Sequence, residues 1–254
     1  MRENRLRAVW REGGAAANAW LALDDPFAAE LVAGCGFDSV CIDLQHGLAD
    51  PGRLSDFLRA IELAGAVALV RAPWNDAASL MRILDAGALG VIVPMIGSAE
   101  DARAAVAACR YPPAGIRSHG PTRAVRAHGA DYPSRAAEEV LVFAMIETRG
   151  ALDELEAILA VDGLTGAYIG PADLSHALGL EPRMDNDHPD HVAAVARILE
   201  ACRRHGKVAG LHTADPSFAR AAAERGFQLL TVATDHACLV AEATRRLQAF
   251  RSGG

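Results

Sequence analysis

The chain has 254 residues, 51% of them hydrophobic but only 5% aromatic, and a formal net charge of −7 at neutral pH. That length exceeds one small domain and matches the roughly 250 residues of a single (β/α)8 barrel, here residues 1–254, with a core of Ala, Val, Leu and Ile. The negative charge leaves no electrostatic footprint for nucleic acid or an acidic membrane, so a small-molecule partner is expected.

Five cysteines (Cys35, Cys41, Cys109, Cys202, Cys238) with no C-x-x-C pair suggest neither a disulfide framework nor a thiolate zinc site, and they suit a reducing cytosol. Charged residues interrupt the first dozen positions, and no later run reaches about 18 apolar residues. A soluble, cytoplasmic protein is expected.

Short apolar runs alternate with longer Ala/Leu/Arg segments. The strand candidates, in chain order, are Ala19–Leu23, Ser39–Ile42, Val67–Val70, Val91–Val93, Val140–Ile146, Ala167–Ile169, Val208–Leu211 and Leu229–Val232. Between them lie helix starts in which a capping side chain or a first-turn proline meets unpaired N–H groups: Asp25-Pro26, Asp50-Pro51, Asn75-Asp76, Ser98 and Asp215-Pro216. Strands alternating with helices imply right-handed crossovers and a parallel sheet. Eight of them in a chain of this length predict an α/β fold closed into a (β/α)8 TIM barrel. An open doubly wound sheet would carry a glycine-rich phosphate loop after its first strand, and neither G-x-G-x-x-G nor a Walker loop occurs.

Two segments exceed ordinary loop length. Tyr111–Ala136 is long and basic, with Arg117, His119, Arg123, Arg126 and His128, and could cover the site or an interface. Gly179–His188 precedes a long helix, with Asp187 as the expected cap ahead of Pro189.

In such a barrel the chemistry gathers at the C-terminal strand ends. Strand two ends in Asp43-Leu44-Gln45-His46, strand three in Arg71, strand five in Glu147, and strand six in Gly170-Pro171-Ala172-Asp173. Each has an ordinary explanation alone: Asp43 and Asp173 as caps, His46 as a loop histidine, Arg71 as a salt-bridge partner. Glu147 is harder to dismiss, because an acid directly after seven apolar residues is costly to bury unless paired or metal-bound.

Together the residues make coherent chemistry. Two carboxylates, Glu147 and Asp173, suit a hard divalent cation such as Mg²⁺ or Mn²⁺. The Pro171-Ala172-Asp173 turn opens a helix whose free N–H groups can hold a substrate carboxylate. Arg71 and the cation can stabilise an enolate oxygen, and His46, oriented by Asp43, can move a proton. A lysine Schiff base is the other route to an enolate equivalent. Lys207, the only lysine, precedes strand seven and belongs at the wrong end of the barrel.

These residues and their flanks resemble the HpcH/HpaI family of pyruvate-dependent class II aldolases. The matching stretches run in family order: Gly36 to Gly47, Arg71-Ala72-Pro73-Trp74-Asn75-Asp76, Val93-Pro94-Met95, Arg110 to Arg117, Ile146-Glu147-Thr148, and Tyr168 to Ser175. The resemblance implies a (β/α)8 barrel that cleaves 4-hydroxy-2-oxo acids reversibly to pyruvate and an aldehyde. It implies Glu147 and Asp173 as ligands of a divalent metal (Mg²⁺, Mn²⁺ or Co²⁺), with Arg71, His46 and Asp43 as catalytic residues. Gly170, Pro171, Ala172, Trp20, Leu211 and Asp85 fall at substrate-binding positions. Family members exchange their last helix and form homo-hexamers, with an aspartate at the position of Asp85 completing a neighbour's site; on sequence alone, Asp85 reads first as an ordinary helix-end acid. Some members have glutamate where this chain has Gln45 and glutamine where it has Met145. His119 and His212 also sit where a second substrate could bind. The rival readings are a CoA-ester lyase of the citrate lyase β-subunit type, for which Arg117–Arg126 is the candidate CoA surface, and a non-catalytic barrel binding a 2-oxo acid.

Overall fold

A computed structural model describes residues 1 and 3–252; Arg2, Gly253 and Gly254 lie outside the described residues. Eight parallel strands close into one barrel in sequence order: β1 (Ala16–Leu21), β2 (Ser39–Asp43), β3 (Val67–Arg71), β4 (Gly90–Val93), β5 (Leu141–Ile146), β6 (Gly166–Ile169), β7 (Val208–His212) and β8 (Leu229–Thr234). All eight expected strands are present. The first begins three residues before the expected Ala19, because Ala16, Ala17 and Asn18 pair with β8 before the register shifts between Asn18 and Ala19.

Strand residues alternate between two cores, as the two-residue period of a strand requires. On β5, Leu141, Phe143 and Met145 point into the barrel beside Trp20, Cys41, Leu69, Ile92 and Tyr168. Val142, Ala144 and Ile146 point outward and pack under the helices with residues such as Phe57, Ile83 and Ile198. The interior stays dense because large and small residues face each other: a Cβ added at Gly210 would stand 2.5 Å from Tyr168 Cδ2. The short helix Arg5–Arg11 closes the N-terminal end, with Leu6 in the inner core and Trp10 edge-on to Phe143 at 6.1 Å between ring centres.

The long basic segment is not a lid. It folds into the helices Thr122–His128 and Tyr132–Glu139 and packs at the N-terminal end of the barrel. Arg123 binds Glu62 and the Ala86 carbonyl, and His128 meets the Gly87 carbonyl at 2.8 Å. Its starting point explains the placement, since it follows the helix Ala99–Cys109, which returns the chain to that end. His188, rather than the expected Asp187, caps the helix Pro189–Arg204 by accepting from the Asp190 N–H. No helix among the described residues is long and apolar enough to cross a membrane.

Candidate active site

Side-chain parity decides what reaches the open C-terminal end. Extending each inward-facing row by one step gives Trp20 on β1, Asp43 on β2, Arg71 on β3, Glu147 after β5, Gly170 after β6 and His212 on β7. Trp20, Asp43, Arg71, Gly170 and His212 line a cavity of about 690 Å³ together with His46, Met145, Pro171, Ala172 and Asp173. The last helix, Asp235–Ser252, adds His236 and Cys238 to the wall.

Arg71 and Asp43 form the rigid part of this site. The guanidinium grips the carboxylate through Nε to Oδ1 at 2.9 Å and Nη2 to Oδ2 at 2.6 Å. This leaves Nη1 for a ligand. Burial pushes Asp43 up, but Arg71's hydrogen bonds and charge outweigh it and hold the carboxyl below its ordinary range. Trp20 joins them, its Nε1 donating to Asp43 Oδ2 at 3.2 Å while Arg71 lies 5.0 Å over its ring.

Asp43 also shapes the following turn, accepting from the Gln45 and His46 backbone N–H groups at 3.0 and 3.2 Å. The expected pairing of His46 with Asp43 therefore takes another form. Arg71 occupies the carboxylate, and Asp43 positions His46 through the main chain, leaving the imidazole at the cavity surface.

Glu147 lies just below the lining, only 2% exposed, against Gly170. Its Oε1 accepts from the Met95 N–H at 2.8 Å, while Oε2 is buried without a hydrogen-bond partner. Burial pushes the carboxyl up to about 7, and the charge of Asp173 adds to the shift. An orphaned carboxylate oxygen beside a second carboxylate is the arrangement a cation resolves. No group of three or more His, Cys, Asp or Glu among the described residues could hold a metal, so a cation here would rest on these two carboxylates plus ligand and water oxygens. The residues present fit a hard divalent ion on that basis.

Met95 is a contributor that motif reasoning missed. It adopts φ 56°, in the left-handed region that L-residues rarely enter, and thereby aims its N–H at Glu147. Nothing in a methionine side chain signals that role. Gly170 works by absence, since a Cβ there would overlap Glu147 Oε2 and stand 2.9 Å from Met145 Cε.

Two expected substrate contacts are not brought to this cavity. Leu211 has the wrong parity: its side chain, 2% exposed, packs outward under the helices, and the neighbouring His212 faces in. Asp85 ends the helix Ala77–Asp85 at the opposite end of the barrel, where it pairs with the buried Arg117 at 2.7 Å. His119 packs on Tyr111, 5.5 Å between ring centres, and does not line the cavity. Lys207 lies at the N-terminal end, donating to the Val161 and Leu164 carbonyls at 3.2 and 2.8 Å, away from any route to a Schiff base.

Fold and site together define a barrel enzyme whose cavity brings two carboxylates and a carboxylate-clamped arginine to the C-terminal strand ends. The model of the HpcH/HpaI aldolase/citrate lyase family matches residues 17–241, and the chain belongs to that family. It is 41% identical to a hydroxypyruvate/pyruvate aldolase of Rhizorhabdus wittichii over 94% of this chain and 96% of the relative. It is 37% identical to a 4-hydroxy-2-oxo-heptane-1,7-dioate aldolase of Escherichia coli over 97% of this chain and 94% of that one. Among solved structures, an HpcH/HpaI aldolase/citrate lyase family protein from Burkholderia cenocepacia superposes with a TM-score of 0.90 at 33% identity, covering 98% of this chain and 99% of that chain.

Proposed function

We propose that this chain is a divalent-metal-dependent class II aldolase, a carbon–carbon lyase that cleaves 4-hydroxy-2-oxo acids reversibly to pyruvate and an aldehyde through the pyruvate enolate. The observation that carries this reading is the unpartnered, buried Glu147 Oε2 beside Asp173, within the same site as the clamped Arg71. Glu147 and Asp173 would hold Mg²⁺, Mn²⁺ or Co²⁺, and the bound ion would supply Lewis-acid stabilisation of developing negative charge.

The chain's own groups account for the remaining steps. The first-turn N–H groups of Ala172 and Asp173, after Pro171 and where no side chain caps the helix, receive the substrate carboxylate. The free Nη1 edge of Arg71 donates to the 2-oxo oxygen, where charge accumulates as the enolate forms. His46 takes the proton of the 4-hydroxyl as the C3–C4 bond breaks; the bond's electron pair passes to the enolate and the aldehyde departs. Protonation at C3 then gives pyruvate. The CoA-ester lyase reading has weaker support, because Arg117 and Arg123 of its candidate surface are committed to Asp85 and Glu62 at the other end of the barrel.

The reading extends to a homo-oligomer, a hexamer in the pattern of the family, built through the last helix. That helix buries only Asp235 and leaves Leu239, Val240, Leu247 and Phe250 exposed. Asp85, remote from its own chain's cavity, holds Arg117 through Oδ1 and would turn Oδ2 to a neighbour.

The decisive experiment follows pyruvate release from a 4-hydroxy-2-oxo acid with added Mg²⁺. Release is expected to stop with EDTA and in Glu147→Ala; undiminished activity in metal-free buffer would overturn the proposal.

A further inference from the structure

Beneath the cavity, the barrel interior holds a line of polar side chains that the proposed reaction does not use. Ser39 Oγ donates to Asn18 Oδ1 at 2.8 Å, and Asn18 Nδ2 donates to Thr231 Oγ1 at 2.8 Å. Thr231 Oγ1 lies 2.6 Å from the Tyr168 hydroxyl, which lies 3.5 Å from His212 Nδ1. Ser39, Asn18, Thr231 and Tyr168 are all fully buried, so the line is closed to bulk solvent along its length.

Chemistry limits the directions the line can take. An amide oxygen only accepts and an amide nitrogen only donates, so with Nδ2 toward Thr231 the threonine oxygen accepts there. Between Thr231 Oγ1 and the Tyr168 hydroxyl either oxygen can donate; when Thr231 does, Tyr168, whose hydroxyl burial keeps protonated, has its own proton left for His212 Nδ1. The ring proton of His212 then sits on Nε2. Burial and the nearby charge of Arg71 push the imidazole down to about 4, which keeps the ring neutral, and the edge of Trp20 fixes its plane at 4.7 Å between ring centres and 72°.

We propose that His212 presents Nε2–H to the cavity as a fixed, neutral hydrogen-bond donor. There it selects aldehydes that carry an uncharged oxygen beside the reacting carbonyl over alkyl aldehydes and over aldehydes that carry a carboxylate. This rests on the aldolase reading and names the class of its second substrate. An alkyl aldehyde leaves the donor unpaired after its water is displaced. A carboxylate finds no free positive charge there, because Arg71 is paired with Asp43, the divalent ion would be held by Glu147 and Asp173, and the neutral ring adds none.

Glycolaldehyde and propanal are near-isosteric probes of this assignment, with glyoxylate as the anionic comparison. In the aldol direction with pyruvate and Mg²⁺, the wild type is expected to favour glycolaldehyde over propanal in kcat/KM by roughly tenfold or more. His212→Leu should bring the ratio near one, His212→Gln should retain much of it through an amide N–H, and Tyr168→Phe should lower it partway by freeing the tautomer. Each ratio is internal to one variant, so a reduced folded fraction cancels. Nitrogen-15 NMR of the His212 ring should find Nε2 protonated in the wild type. An unchanged ratio in His212→Leu, a proton on Nδ1, or a wild-type preference for propanal or glyoxylate would overturn the assignment. Exchange of pyruvate C3 protons in D₂O with Mg²⁺, measured on the wild type, tests enolate formation separately: its absence overturns the aldolase reading, while the NMR result still decides the tautomer.

Discussion

Without a cation, burial keeps Glu147 protonated up to about pH 7, against 4.5 for a free glutamate. The folded state thus binds this proton more tightly than the unfolded chain does. The associated stability is fully present below about pH 4.5 and is lost as pH rises toward 7. Glu147→Gln removes the ionisation and places an amide N–H where the orphaned oxygen stands. Thermal melts of the metal-free protein at pH 8 should find this variant more stable than the wild type, by on the order of 1 kcal/mol or more, and insensitive to Mg²⁺. The same proton competes with the cation, so metal affinity of the wild type should weaken below about pH 7, approaching tenfold per unit for one displaced proton. Titrations of Mg²⁺ or Mn²⁺ between pH 5.5 and 8 measure it, and a flat profile would contradict the assignment of Glu147. Arg71 separates binding from chemistry in another way: Arg71→Ala should lower kcat far more than metal affinity, because its donor edge serves charge that develops during reaction.

At the level of elements, the turn from β6 into the helix Pro171–Ala177 brings the chain so close to Glu147 that only glycine fits at 170. Gly170→Ala should therefore fold but weaken metal binding and cut turnover, visible as a normal far-UV spectrum beside a raised metal requirement; wild-type metal affinity would show that the turn yields freely. How much of the site could be read in the sequence follows from the same geometry. Glu147, Arg71 and Asp43 were legible because each ends an apolar run that reads as a strand, and Asp173 and His46 because they follow such runs within four residues. Parity within β7 bears on Leu211: counting alternate residues from Val208 through Gly210 puts His212 on the inward face and Leu211 on the outward one. The Met95 N–H was not legible, since its role depends on a backbone angle that no methionine side chain announces. Nor was the course of the basic segment, because its arginines read as surface charge until Asp85 and Glu62 are seen beneath them.

Across the whole molecule, the last helix has two duties on opposite faces, walling the cavity with His236 and Cys238 while leaving Leu239 and Phe250 bare. Its start is pinned by Asp235, which accepts from the Ala22 and Leu23 N–H groups at 3.0 Å, so the helix is anchored at one end only. Light scattering is expected to give a homo-oligomer, and a double substitution Leu239→Glu/Phe250→Glu to give smaller species with lower specific activity; full activity in a monomer would separate assembly from the cavity. The three tryptophans, finally, stand at three distinct places: Trp10 at the closed end of the barrel, Trp74 on the surface at 55% exposure, and Trp20 in the cavity wall. Trp20 is held between Arg71 and a stacked Tyr168 whose ring centre is 5.8 Å away, so its indole reads the electric field in which the substrate would sit. The protein thus carries a built-in optical probe: in a Trp10→Phe/Trp74→Phe background, intrinsic fluorescence reports occupancy of the cavity directly, with no label and no turnover.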